Sequence, residues 1–241
     1  MSGCSSQISF GERRLTDTAD GSHTIELPDI GEHYHSTEGA IAEARYVYIK
    51  PCLKEALEQF VDEPLRVFEM GFGTGLNALL TMAEAEQSGR RIEYTTVEAF
   101  PLQDTLYGKL NYAEQLSISE RQFLALHEAL WNRLVEITPF FSIMKIQTDI
   151  RDMFFPAEPT FHAVYYDAFA PQYQPELWDE TVFKALKVSL VDGAILTTYC
   201  CKGDVKRALK TAGFNIEKIP GYGKKREMLR ATVPTPSQYL G

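Results

Sequence analysis

The sequence predicts an α/β fold. A mainly parallel sheet of seven strands is flanked by helices and closed by a C-terminal antiparallel pair, with a small β-hairpin and helix extension ahead of it. Three observations carry this expectation. Val67-Phe68-Glu69-Met70-Gly71-Phe72-Gly73-Thr74-Gly75-Leu76-Asn77 reads as a strand, a glycine turn and the start of a helix, which is how a nucleotide-binding α/β unit opens. From Leu65 onward β-prone runs alternate with helical patterns, which implies parallel strands joined by crossovers. Acidic residues fall at the carboxyl ends of the first four of these runs.

In chain order, residues 1–10 are small and polar and are expected to start the chain as a disordered stretch. Arg13-Arg14-Leu15-Thr16 and His23-Thr24-Ile25-Glu26-Leu27 flank Ala19-Asp20-Gly21-Ser22. Asp-Gly between two β-prone runs predicts a hairpin. Pro28 to His35 reads as a polar loop. Ser36-Thr37-Glu38 then opens a helix reaching Ile49, with Ile41, Ala44, Arg45 and Tyr48 at helical spacing. Pro51 is expected to break it, and Leu53, Leu57 and Phe60 to continue a second short helix. Strands are expected over 65–69, 92–97, 143–147, 162–166 and 194–199, with 214–219 and 227–233 as the antiparallel pair. Helices are expected after Gly75, over 102–110, 120–134 and 175–190, and around 206–211, with Asp192-Gly193 as a turn and 234–241 as a loose tail. The organisation is thus 1–62, hairpin and helices, packed on a core of 63–241.

The glycine spacing bears on the ligand. A dinucleotide fingerprint needs a third glycine at position 76, and Leu76 stands there. The loop is E-x-G-x-G-x-G, with the Glu69 carboxylate where a phosphate would be repelled. A ligand with an amino-acid end suits it better, its carboxylate meeting backbone N–H groups at the helix start and its ammonium lying near Glu69. S-adenosylmethionine (SAM) is such a ligand, and Gly71, Gly73, Gly75 and Asn77 are the loop residues expected to hold it. Ligands of open α/β sheets bind beyond the carboxyl ends of the strands. Glu98 is placed there to accept both ribose hydroxyls, Asp149 to accept from the adenine amino group, and Asp167 to lie near the sulfonium and its methyl group.

Composition sets further bounds. The 241 residues carry a net charge of -9 and 44% hydrophobic side chains, enough for one large core. That charge offers no general attraction for nucleic acid, so an RNA contact needs a local basic patch. Cys4, Cys52, Cys200 and Cys201 form no C-x-x-C pair, and Cys200-Cys201 reads as the end of a buried strand. No signal sequence and no membrane-spanning run is visible, so a cytoplasmic location is expected. His33 and His35 lack a third ligand at useful spacing, so no metal is expected. His127 and His162 read as ordinary helix and strand residues, and Trp131 and Trp178 as anchors. Lys202, Lys206, Arg207 and Lys210 share one helix, and Lys224-Lys225-Arg226 follows Gly221-Tyr222-Gly223. Together they form the best phosphate-contact candidate, with Arg13, Arg14 and Arg45 as possible additions.

These residues resemble a family. Asp20-Gly21-Ser22, Tyr34-His35-Ser36 with Gly39, Glu43 and Arg45-Tyr46-Val47, the loop from Glu69 to Asn77, and Glu98-x-Phe-Pro101 match it. So do Tyr166-Asp167-Ala168-Phe169-Ala170-Pro171 with Pro175-x-Leu-Trp178, Thr198-Tyr199, and the run from Gly221 to Leu229. Across nearly the whole chain they are similar to the methyltransferase half of MnmC and its stand-alone counterpart MnmD. The resemblance implies a class I SAM-dependent methyltransferase of Rossmann-like fold. Its implied reaction is N-methylation of the aminomethyl group of 5-aminomethyl-(2-thio)uridine at the tRNA wobble position. It also implies Asp167 as the catalytic residue, and Tyr34, Tyr199, Lys224, Lys225 and Arg226 as substrate contacts around the anticodon region. No FAD is expected, since the oxidase half is absent, and a separate partner enzyme would supply the aminomethyl precursor. Cys200-Cys201 stands where the family has small residues. Two other readings remain open at this point: a small-molecule amine methyltransferase akin to spermidine-synthase-like enzymes, and a non-catalytic SAM- or RNA-binding protein.

Overall fold

The computed structural model describes residues 11–61 and 64–235. The expectations for 1–10 and 236–241, and the boundary set at 62 and 63, lie outside them. A mixed sheet of eight strands runs in the order β10-β11-β9-β8-β4-β5-β7-β6. Its members are β4 (Leu65–Met70), β5 (Ile92–Val97), β6 (Leu134–Thr138), β7 (Phe141–Ile146), β8 (Phe161–Tyr166), β9 (Leu190–Thr198), β10 (Asn215–Pro220) and β11 (Glu227–Thr232). The central pairings β9-β8, β8-β4, β4-β5 and β5-β7 are parallel, and β10, β11 and β6 add antiparallel pairings at the two edges.

Strands buried on both faces explain the nearly unbroken apolar runs. Val67 and Tyr165 point to one side, Phe68 and Tyr166 to the other. The first side is covered by α1 (Ala40–Ala44), α2 (Glu55–Gln59), α3 (Leu76–Ser88), α5 (Tyr112–Leu116) and α6 (Glu120–Glu128), with α4 (Asp104–Tyr107) beside them. The second is covered by α7 (Glu180–Val188) and α8 (Gly203–Thr211).

Four expectations change. The helix expected over 120–134 stops at Glu128, where Ala129 turns extended and Asn132 enters the left-handed region at φ 59°. Residues 134–138 instead alternate exposed and inward side chains and pair with β7, giving the eighth strand. Asp192-Gly193 lies inside β9, where the pairing with β8 slips between Phe161 and Ala163, so it is an irregularity rather than a turn. The N-terminal hairpin, β1 (Arg14–Asp17) and β2 (His23–Leu27), gains a short third strand, β3 (Glu32–His33), within the expected loop.

The fourth change is in the helix after that sheet. It begins at Ala40 and is not broken at Pro51. Arg45–Lys54 between α1 and α2 is wound as a π-helix. In α geometry the proline ring meets the carbonyl four residues back, and the wider i→i+5 turn relieves that clash. The winding buries Val47, Tyr48, Ile49, Pro51, Cys52 and Leu53 against the sheet, more of the circumference than an α stripe would.

Candidate active site

A cavity of about 530 Å³ opens at the carboxyl ends of β4, β5, β8 and β9, a size suited to a small-molecule ligand. The loop between β4 and α3 forms its floor. Gly71, at φ 93°, lies where a Cβ would come 3.0 Å from the Asp167 carbonyl oxygen, and the Asp167 N–H donates to Met70 O at 3.2 Å. Any side chain at Gly71 would push the β4 and β8 ends apart. Gly73 (φ 51°) lies under the Tyr34 ring, whose Cδ1 would be 3.1 Å from an added Cβ. Gly75 precedes α3, and Asn77 stands in the first turn of that helix. Gly71, Gly73 and Thr74 face the cavity beside Leu76 and Asn77, which suits a carboxylate, whereas the expected contact Gly75 does not line it: its open side is turned to His127, whose Nε2 would be 2.9 Å from an added Cβ.

Asp167 joins this floor to the rest of the cavity. The Tyr48 hydroxyl, from the π-helix, donates to its Oδ1 at 2.6 Å, and Asn77 Nδ2 donates to its Oδ2 at 3.0 Å. Burial raises its pKa to about 7, against the lowering effect of those two donors. Tyr48 is itself fully enclosed, and burial beside Asp167 raises its hydroxyl well above the usual range, so it remains a donor.

The other strand-end acids divide. Glu98 lines the cavity and accepts from Gly73 N (3.0 Å, Oε2) and Phe100 N (2.7 Å, Oε1). Each oxygen keeps a lone pair for a hydroxyl, so the residue fits a ribose contact. Asp149 also lines the cavity, but it accepts from Arg151 through the backbone N–H and the guanidinium (2.6–2.9 Å), and this pairing holds its carboxyl below the usual range. Glu69 does not line the cavity. It is 0% exposed beneath the loop, among Thr96, Asn77 and Tyr94, and burial raises its pKa well above the carboxylate range. The expectation of Glu69 beside a ligand ammonium is therefore corrected: its strand direction turns the side chain into the core.

The far side of the cavity is built from the N-terminal strap and the C-terminal turn. Tyr34 meets Phe169 edge to face at 5.2 Å, and Tyr199 donates to Ala168 O at 2.8 Å. Cys200 and Cys201 line this side beyond the end of β9. The basic turn between β10 and β11 divides in placement. Lys225 faces the cavity, its Nζ 2.9 Å from Glu43 Oε1 and 4.3 Å from the Tyr199 ring centroid. Lys224 is 95% exposed and 3.4 Å from Glu38, and Arg226 is exposed. Of the three expected phosphate contacts, Lys225 lines the cavity while Lys224 and Arg226 do not. On α8, Arg207 pairs with Asp204, Lys210 is exposed, and Lys206 is half-buried beside Glu227. Arg13 donates to the Phe100 and Pro101 carbonyls, which ties the N-terminal strand to the loop after β5, while Arg14 pairs at the surface with its near neighbour Glu12.

His35 stands half-buried between Thr24 and Thr74 at the cavity wall, and loss of solvent around the ring lowers its pKa to about 4. Among the described residues no group of three His, Cys, Asp or Glu side chains could hold a metal ion. His127 is more than an ordinary helix residue. It stacks on Tyr107 at 4.2 Å and bonds to Thr74 O beneath the glycine loop, while its own carbonyl accepts from the buried Lys145 ammonium. Sequence reasoning missed Tyr48 and Glu43 as site residues. A buried tyrosine needs a polar partner, but helical spacing alone does not name it.

A family model described as S-adenosyl-L-methionine-dependent methyltransferase matches residues 131–234. Over 210 residues the chain is 34% identical to the tRNA 5-methylaminomethyl-2-thiouridine biosynthesis bifunctional protein MnmC of Paraburkholderia xenovorans, covering 81% of this chain and 31% of that protein. The protein of the same name from Aeromonas hydrophila is 32% identical over 239 residues, covering 93% and 36%. The chain spans about a third of the length of these relatives. The crystal structure of MnmC2 from Aquifex aeolicus is similar, with a TM-score of 0.71 and 25% identity, covering 95% of this chain and 74% of that one. Spermidine synthase from Thermotoga maritima shares the fold, with a TM-score of 0.51 and 13% identity. The bare loop and helix start under Glu98, the parallel sheet that carries them and these matches together place the chain among the SAM-dependent methyltransferases.

Proposed function

We propose that this chain methylates the primary amine of 5-aminomethyl-(2-thio)uridine at the wobble position of tRNA, giving the methylaminomethyl form. The observation that carries the reading is Asp167, held by Tyr48 and Asn77 where the glycine floor meets the far side of the cavity. The names of the MnmC relatives support the choice of substrate.

Gly71, Gly73 and Asn77 would hold the amino-acid end of SAM at the start of α3, with Gly75 shaping the loop behind them; Glu98 would take the ribose hydroxyls, and Asp149, while paired with Arg151, would offer a lone pair to the adenine amino group. When bound, SAM supplies a methyl group on a positively charged sulfur, which the amine nitrogen takes while the S–C bonding pair stays with sulfur. The chain's own task is to present a neutral, aligned amine. In the cavity an ammonium is disfavoured by desolvation, and Asp167, raised to about 7, is disfavoured as an anion. The two shifts bring the partners toward equal proton affinity, so Asp167 takes the amine proton at little cost. Tyr48 and Asn77 fix the carboxylate rotamer, and alignment contributes the larger share of the rate. Tyr34, Phe169 and Tyr199 wall the acceptor. Arg226 and Lys224, with α8, meet tRNA phosphates near the anticodon, and the hairpin and helices of residues 11–61 complete the acceptor side of the sheet. A separate enzyme supplies the aminomethyl group.

Labelled methyl transfer from SAM to bulk tRNA tests the reading, compared with polyamines and with no acceptor. Label in tRNA that co-elutes with the methylaminomethyl nucleoside is expected. Label in polyamines alone would reject the substrate.

A further inference from the structure

Glu43 is all but buried at the acceptor end, with a side chain 10% exposed, and both of its oxygens are engaged. Oε2 accepts from Ser36 N at 2.6 Å, in the strap that carries Tyr34 and His35. Oε1 accepts from Lys225 Nζ at 2.9 Å, in the turn between β10 and β11. Both residues line the same cavity as Asp167. The carboxylate is enclosed while its partner is not: the Lys225 side chain is 44% exposed, so the pair runs from the cavity wall to its mouth, and a buried carboxylate is costly even when paired.

The two charges act on Asp167 in opposite directions. Glu43 disfavours a second negative charge there, and Lys225 favours it. The other titratable or polar groups around Asp167 are Tyr48 from the π-helix, Asn77 from α3, Tyr199 beyond β9, Glu69 from β4 and Tyr94 from β5. Burial raises the Tyr48, Tyr94 and Tyr199 hydroxyls well above their ordinary values, which keeps them neutral donors, and pushes the Glu69 carboxyl in the same direction, toward its neutral form. Glu43 and Lys225 are thus the ion pair, 2.9 Å apart, that shares the cavity with Asp167 and acts on it with opposite sign.

We propose that Glu43 and Lys225 are a positioning pair of opposite sign that sets the charge carried by Asp167, with Glu43 promoting its protonated form and Lys225 its ionised form. The proposal rests on the reading of Asp167 as the group that takes the amine proton. It makes the basic turn part of the catalytic apparatus. It also gives Lys225 a duty distinct from that of Lys224 and Arg226, which look outward.

The test is a carboxyl titration of the full chain, labelled with ¹³C at the aspartate side-chain carboxyl and followed by NMR from pH 5 to 9. The Asp167 signal is assigned by its loss in Asp167→Asn. Its midpoint is expected at about 7 in the unaltered protein. Glu43→Gln keeps an acceptor for Ser36 N and should lower the midpoint by about 0.5–1 unit, the scale of one charge in a partly enclosed site. Lys225→Gln should raise it by a similar amount, and Lys225→Arg should restore the original value. Midpoints that stay put in both Gln variants, or move the same way, would overturn the pair. Methyl transfer to tRNA provides the second arm, since the acid limb of kcat/KM should shift in the same order. A split titration in a protein that methylates no tRNA supports the pair and rejects the function. Turnover without the split rejects the pair alone.

Discussion

Removing one oxygen atom from Tyr48 should move the pH at which the enzyme works. Its hydroxyl donates to Asp167 Oδ1 at 2.6 Å, from a side chain that is 3% exposed. A hydrogen bond to a charged group is worth about 1.5–3 kcal/mol, and each pKa unit corresponds to about 1.4 kcal/mol. Tyr48→Phe should therefore raise the Asp167 midpoint from about 7 by roughly 1–2 units. The sign follows from the state that Tyr48 favours: it donates to the carboxylate, so its loss favours the protonated acid. At pH 7 the ionised fraction would fall about 5- to 50-fold, and kcat/KM with it, while activity above pH 9 would largely recover. The assay is methyl transfer to tRNA from labelled SAM between pH 6 and 9.5, at subsaturating tRNA. SAM affinity by calorimetry should be unchanged within about twofold, since Tyr48 does not line the cavity. A loss of activity equal at every pH would refute the reasoning and leave Tyr48 as a packing residue. So would an acid limb that stays where it was.

Three further outcomes are expected. Glu98→Ala should weaken SAM binding by about 1–3 kcal/mol, and Glu98→Gln by less, because the amide oxygen still accepts from a backbone N–H; calorimetry decides. Arg226→Ala should reduce the slope of log tRNA affinity against log salt by roughly 0.7–0.9, and Lys224→Ala by less, since Lys224 must first leave Glu38; filter binding across salt measures both, with SAM affinity as the control. Lys145 is buried, which lowers its pKa to about 8. Its ammonium therefore burdens the folded state below that pH, and the burden lifts as pH rises from about 8 toward the unfolded value. Thermal melts of Lys145→Met and the unaltered protein should differ in their pH dependence, the unaltered protein gaining stability relative to the variant between pH 7.5 and 9.5.

The central sheet was legible because its strands are short apolar runs bounded by glycines and acids, and because the glycine loop has one common structural use. Leu134–Thr138 was harder to read, since Glu120–Glu128 is an amphipathic helix and only the alternation at Val135-Glu136-Ile137 marks the change of period. The loop, Glu98 and Asp167 could be placed at the cavity from strand ends alone. Glu69 could not, because a strand-end residue points into the cavity or into the core depending on a shift of one position. Tyr48 and Glu43 belong to a helix distant in sequence, and only packing brings them to Asp167. Lys225 looked like its neighbours in the sequence, and the turn geometry separates it from them.

The π-wound segment makes chain length itself a determinant of the chemistry. Tyr48 reaches Asp167 because ten residues between Arg45 and Lys54 are accommodated in a wider coil than usual. Deleting one residue from that span would let it tighten toward α geometry and rotate one flank against the other by ~100°. The apolar content of the helix would hardly change, and no reacting group would be lost. The phenol would nonetheless face away from the carboxylate, or the buried run on the other flank would leave the sheet. Substitution within this stretch is therefore a matter of chemistry and volume, whereas insertion or deletion alters the phase between the extension and the catalytic floor.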